Sequence, residues 1–312
     1  MAYRVGQGTL RPYAHRFSPK KFTQPQLFAA LVLKEFLRLD YRKLAALLAD
    51  TADLRAVVGL EKVPHFTTFQ KASRRLLRYQ RAQRLLDKTI RIAVSQRRLG
   101  RRVKLAALDG TGLESHHASH YYVCRRAKGG KTWQNITYRC FPKAGILCDC
   151  RSHLILAVVP GRGPRSDLQH FRAALDQAQR RVRIATLAAD AGYDSEGSHI
   201  YAREQCGVRT LIPPRIGRPT DKVPSGYWRR QMAAHLGHSR YGQRWQVETV
   251  NSMLKRLLDA ALRARRYWTQ CREIFLRTLT LNIMILWWIK VFYRAGPSPF
   301  AGVRSGGSDG KV

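Results

Sequence analysis

Three carboxylates hold positions where acids are scarce: Asp109, Asp190 and Glu248, among 20 acidic residues set against 57 basic ones. Asp109 closes the apolar run 103–108 and precedes Gly110-Thr111-Gly112. Asp190 closes the run 184–189 and opens Ala191-Gly192-Tyr193-Asp194-Ser195. Short apolar runs bounded by turn residues read as strands buried on both faces. The C-terminal ends of such strands are where α/β sheets place their sites. Glu248 lies instead in the stretch 241–258, which winds as an amphipathic helix with Val247, Val250, Leu254, Leu257 and Leu258 as its apolar stripe. Carboxylates from two strand ends and one helix can converge. Once converged they repel unless cations lie between them, and an all-oxygen ligand set suits Mg²⁺ or Mn²⁺. Two such ions about 4 Å apart would activate a water or 3′-hydroxyl and stabilise the leaving oxygen of a phosphodiester. Each residue also has a plainer reading. An Asp before Gly is a common turn residue, and Glu248 has i,i+4 spacing from Arg244 on a solvated helix face.

On that helix Tyr241, Arg244, Glu248 and Lys255 fall within about 60° of one another, away from the apolar stripe. The row Tyr241-x2-Arg244-x3-Glu248-x6-Lys255 resembles the Y-R-E-K signature of bacterial and archaeal insertion-sequence transposases. Together with Asp109-Gly-Thr and Asp190-Ala-Gly-Tyr-Asp-Ser it resembles the three catalytic blocks of DDE transposases, over roughly residues 103–290. The resemblance implies a ribonuclease-H-like core with Asp109, Asp190 and Glu248 as ligands of Mg²⁺ or Mn²⁺, two ions in all. It implies that Tyr241, Arg244 and Lys255 contact DNA near the scissile phosphate. The implied activity is cleavage at transposon ends and strand transfer into a target by direct transesterification, by a homodimer or higher assembly on double-stranded DNA. Some relatives carry a long β-rich insertion before the glutamate helix, and the stretch 214–240 is too short for one.

The elements that would position these groups follow from pattern and charge. The net charge of +37 opposes compact folding by self-repulsion, and a polyanionic partner is the usual reason to tolerate it. A membrane is the poorer partner. The N-terminus lacks the apolar core of a signal peptide, and the run 283–289 is far short of the roughly 20 residues that span a bilayer. Six cysteines in a chain of this length are no disulfide framework, which fits a reducing cytoplasm and, for a DNA binder, the nucleoid. Cys124, Cys140, Cys148 and Cys150 offer zinc a C-x-C spacing rather than the usual C-x2-C, so buried thiols are expected.

Residues 1–24 read as a basic arm, and 25–102 as several short helices resembling a helix-turn-helix module, with a plain helical bundle as the alternative. The run 71–104 carries Arg74, Arg75, Arg78 and many more cations against the single acid Asp87, so its face fits DNA phosphates better than solvent. Residues 103–293 would form the catalytic domain, with 214–240 a basic loop and 294–312 a disordered tail. The expected fold class is therefore α/β: a ribonuclease-H-like mixed sheet flanked by helices, after an all-α helix-turn-helix-like domain. Glu114 stands close to Asp109, and His116, His117 and His120 cluster in a polar stretch. Asp194 reads as a helix cap. Trp133, Trp228 and Trp245 could stack on a base, though core packing suits them better. Two rival functions stay open: a catalytically inactive DNA-binding protein acting as a repressor, and a metal-dependent nuclease on the same fold.

Overall fold

The computed structural model describes residues 1–115, 141–163, 165–215, 223–238 and 240–294. The histidine cluster, Cys124, Cys140, Trp133 and the tail lie outside them. Six helices open the chain: α1 (Ala2–Gln7), α2 (Gln24–Phe36), α3 (Tyr41–Asp50), α4 (Ala52–Val58), α5 (Phe66–Leu76) and α6 (Tyr79–Ser95). The N-terminus is not a free arm. α1 buries Val5 and Gly6, and a Cβ on Gly6 would meet Pro25 Cα at 3.0 Å. Thr23 and Gln26 form a capping box that starts α2, with Pro25 in its first turn. The basic run is two helices rather than one, because Arg78 is extended (φ −63°, ψ 146°) and restarts the chain as the N-cap of α6.

The rest of the chain builds a mixed sheet. Its strands are β2 (Ala106–Gly112), β4 (Pro142–Asp149), β5 (Ile155–Arg162), β7 (Thr186–Ala189) and β8 (Arg209–Leu211), in the order β5-β4-β2-β7-β8. Two short parallel pairs flank it: β1 (Arg102–Val103) with β6 (Arg183–Ile184), and β3 (Glu114–Ser115) with β9 (Ala261–Leu262). β4 runs antiparallel to both β2 and β5, whereas β2, β7 and β8 are parallel. β2 is central, and Ala106, Ala107 and Leu108 are fully buried. Helices cover the sheet: α7 (Leu168–Gln179) on β4 and β5, α10 (Trp245–Leu258) on β2 and β4, and α11 (Tyr267–Arg294) on β5. This is the mixed, helix-flanked sheet after a helical region that the sequence leads one to expect.

α11 also packs on α2 and α6, so one apolar core runs through both regions. Its buried Asn282 accepts from Ile155 N–H and donates to Ile155 C=O, both at 2.9 Å, closing the open edge of β5. Among the described residues no helix is long and apolar enough to cross a membrane. Cys148, Cys150, Cys206 and Cys271 are free, and burial pushes the Cys148 thiol well above its ordinary range. The stretch expected as a loop contains α9 (Tyr227–His235), fastened to α8 (Glu196–Ile200) and the turn before it. Glu196 accepts from Trp228 and Arg229 N–H at 3.0 and 3.1 Å.

Candidate active site

Leu108 of β2 pairs with Ala189 of the parallel β7, so the residues that follow, Asp109 and Asp190, emerge side by side. Neighbouring strands are about 5 Å apart. Burial first, and then the Asp190 charge, raise the Asp109 carboxyl to about 6, against the pull of the Gly110 N–H. Asp190 caps the one-turn helix Ala191–Tyr193, accepting from Gly192 N–H at 3.0 Å.

α10 crosses β2 and presents Asn251 to this pair, its Nδ2 donating to Asp109 Oδ2 at 2.9 Å. Asn251 is 6% exposed, and its Oδ1 is buried without a hydrogen-bond partner among the described residues. The sequence reading misses this residue. Its signal was a polar side chain one turn from both Val247 and Leu254, set within an apolar stripe. Asp167 is also missed. It stands at the N-cap of α7 without making a cap bond, and its carboxylate pairs with Lys143 at 2.7 Å. It presses so closely on Gly110 that a Cβ there would meet Asp167 Oδ1 at 2.0 Å. Tyr193 lies buried beneath, its hydroxyl without a hydrogen-bond partner among the described residues and pushed up by burial and then by Asp167, Asp109 and Asp190.

The four-residue row does not lie on one α-helix. Arg240–Arg244 is a tighter 3-10 turn, and α10 starts at Trp245. Tyr241 and Arg244 nevertheless come to the acid pair. Burial raises the Tyr241 hydroxyl, with Arg244 opposing and Asp190 adding to the rise. Arg244 pairs with Glu248 and also feels the Asp109 charge. Glu248 itself is exposed, one turn before Asn251, and engaged by Arg244. The structure thus brings Asp109 and Asp190 together and holds the exposed Glu248 on the Arg244 guanidinium. Among the described residues no group of three or more His, Cys, Asp or Glu is close enough to hold a metal ion. Arg244 offers Glu248 a counter-charge. Asp109, Asp190 and the Asn251 amide are hard oxygen donors, and a divalent cation between the carboxylates would relieve their repulsion.

Lys255 lies half-buried on α10, two turns beyond Glu248. Arg74 and Arg78 are exposed at the end of α5 and the start of α6. Arg75 is half-buried, burial lowering its pKa, and its Nε has no partner among the described residues. Glu114 sits on β3, its N–H bound to Ala260 C=O at 3.1 Å and its side chain exposed. Trp245 is 51% exposed, not in the core, and lines a shallow hollow with Glu248. Trp228 donates to Glu204 at 2.8 Å under the Arg203 guanidinium. Asp194 does not cap the helix that follows it, since Ser195 caps α8. Its fully buried carboxylate instead receives Arg229 Nη2 at 2.8 Å and Arg215 N–H at 2.7 Å. Burial alone would raise it, but His199, Arg229 and Arg215 hold it at about 2.

A family model described as a transposase DDE domain matches residues 103–283. Comparison with curated protein sequences finds no match. Among solved structures, the Mos1 strand transfer complex aligns with 12% identity over 91% of this chain and 84% of its own, at a TM-score of 0.23. The Mos1 mariner paired end complex with Mn aligns with 12% identity over 92% and 84%, at 0.24. Both are too distant to inform the geometry.

Proposed function

Because the chain belongs to the transposase DDE domain family, we propose that it cuts DNA at the ends of a mobile element and joins the 3′ ends to target DNA. The observation that carries this reading is the meeting of Asp109 and Asp190 at parallel strand ends, with α10 laid across them. Asp109, Asp190 and Glu248 are the proposed ligands of Mg²⁺ or Mn²⁺, two ions in all. Bound there, the ions would activate the attacking oxygen and stabilise the departing one.

The chain's own residues do the rest. Asn251 fixes one oxygen of Asp109 and so orients the carboxylate. Arg244 holds Glu248 in reserve, and on releasing it the guanidinium becomes free for a phosphate oxygen. Tyr241, before the helix, and Lys255, in its last turn, would position the DNA backbone, and Trp245 offers a face to an unstacked base. Arg74, Arg75 and Arg78 are the proposed grip on the transposon end. Half-buried Arg75 is the weakest of them. The partner is double-stranded DNA, bound by a homodimer or larger assembly in the cytoplasm, at the nucleoid.

The test uses purified protein, a labelled duplex carrying the terminal repeat, and Mg²⁺, Mn²⁺ or chelator. Asp109→Ala, Asp190→Ala and Glu248→Ala should each abolish cleavage and joining together, and their effects should not add, since each disrupts the same site. Asn251→Ala should lower activity about 10- to 100-fold, and apparent Mn²⁺ affinity with it. A Glu248→Ala protein that still nicks and joins would remove that residue from the site. A wild-type protein that binds the duplex but never cuts it would be a repressor, and one that cuts without joining a nuclease.

A further inference from the structure

α6 ends in a backbone conformation that costs energy. Arg97, just past its C-cap, has a φ of 56°, the left-handed region that glycine normally supplies at this place. A side chain there is strained where glycine would not be. The turn is closed by Arg97 N–H to Val94 C=O at 3.0 Å and Arg98 N–H to Ala93 C=O at 2.9 Å. The chain keeps an arginine where glycine would relax it, and strain of this kind points toward function.

Arg97 lines a cleft of about 1150 Å³ between the helical region and the sheet. Its walls are the end of α6, residues 97–105, the turn between β4 and β5, and the 3-10 turn Arg240–Arg244. Arg97, Arg101, Arg102, Lys104, Arg151 and Arg240 all line it and are exposed. Its one acid among the described residues, Asp149, is 6% exposed and accepts from Ser152 N–H at 2.9 Å and Ser152 Oγ at 2.6 Å. Six exposed like charges line one hollow, and a polyanion is the partner that would relieve their repulsion. Among the described residues no aromatic side chain lines the cleft, and Gln243 is its only carboxamide. It therefore lacks both the stacking surfaces and the paired amides that read bases. Phosphate contacts alone carry no sequence information.

The cleft also leads to the acid pair. Arg240, Gly242 and Gln243 line it, while Tyr241 and Arg244 of the same turn feel Asp190 and Asp109. Arg74 and Arg78 lie on other elements, outside this lining. We propose that the cleft is a second nucleic-acid site, holding the backbone of DNA whose sequence is not read, the target rather than the transposon end. This rests on the transposase reading.

The test compares the full-length protein with an Arg151→Ala/Arg240→Ala double variant. The probes are a short duplex of mixed sequence and one carrying the terminal repeat, each titrated across salt. On the mixed duplex the slope of log affinity against log salt should become shallower by about two, one per lost phosphate contact. The preference for the terminal repeat over mixed DNA should rise about tenfold. Unchanged affinity for mixed DNA would make the cleft a solvated surface and overturn the proposal. Equal losses on both duplexes would make it part of the end grip and overturn it too. If the parent protein never joins DNA, the transposase reading fails, while the salt slopes still decide whether the cleft binds DNA of any sequence.

Discussion

Asp109 is at once the most burdened carboxylate of the site and the one most closely held. Burial and Asp190 raise it to about 6, while the Asn251 amide secures one of its oxygens. Its folded pKa lies above the ordinary value of 3.8, so the folded protein takes up that proton before the unfolded chain does. In the absence of metal, stability should therefore fall as pH rises from about 4 to 6, and the penalty should be complete above 6. Asp109→Asn removes the charge and keeps an oxygen for Asn251. In chelator it should add about 1–2 kcal/mol to the unfolding free energy at pH 8, less than the full shift because the group is partly solvated. At pH 4 the gain should vanish. Urea unfolding at the two pH values measures this, and a variant no more stable than its parent at pH 8 would mean the acid pair is not strained. Asp109 and Asp190 were legible in the sequence because each ends a short apolar run, a local signal. Asn251 and Asp167 were not, since a lone amide on a helix and an acid before one look like ordinary solvated or capping residues.

At the scale of elements, the strands and the amphipathic helix were readable from periodicity, but the joints between elements were not. The four-residue row looks continuous only if the helix begins at Tyr241. The chain instead makes a 3-10 turn, which sets Tyr241 and Arg244 toward the acids and Trp245 toward solvent. The basic stretch before it looked like a loop for want of an apolar stripe. α9 forms there because its anchors are polar: Glu196 at its N-terminus and Asp194 under Arg229. Asp194 therefore has a structural role, unlike the one proposed for Asp109 and Asp190. Asp194→Ala would leave the Arg229 guanidinium and His199 without their buried acceptor and should cost about 3–5 kcal/mol. Because the carboxyl is held at about 2, the ion pair should persist down to mildly acidic pH and be lost only near that value. Thermal unfolding of Asp194→Ala beside Asp190→Ala checks this, and an Asp194→Ala protein as stable as wild type would count against the anchor.

The whole molecule is joined by contacts that no sequence window contains. Glu35 on α2 accepts from Arg277 Nε on α11 at 3.0 Å, across a separation of 242 residues, and Arg277 is 1% exposed. The same guanidinium donates to Glu273 at 2.9 Å and to the carbonyls of Asp259 and Ala261, just beyond the end of α10, at 2.5 and 2.7 Å. Arg38, at a φ of 53°, donates from the helical region to the carbonyls of Arg256 and Leu257 at the end of α10. The helical region therefore holds the far end of the helix whose near end carries Glu248 and Asn251. A charge of +37 would drive loosely tethered regions apart, and these buried contacts oppose it. Arg277→Met should cost about 3–5 kcal/mol, because Glu35 and Glu273 lose their shared buried partner. Glu35→Gln should cost less, since a neutral oxygen still accepts. In the double variant the two losses should fall short of their sum by at least about 1 kcal/mol, as expected for residues in direct contact. Urea unfolding followed by tryptophan fluorescence and by far-ultraviolet circular dichroism measures all four proteins. Coincident transitions in the wild type, with coupled losses, would show one cooperative unit fastened at Arg277. Strictly additive losses would mean that this contact does not join the two regions.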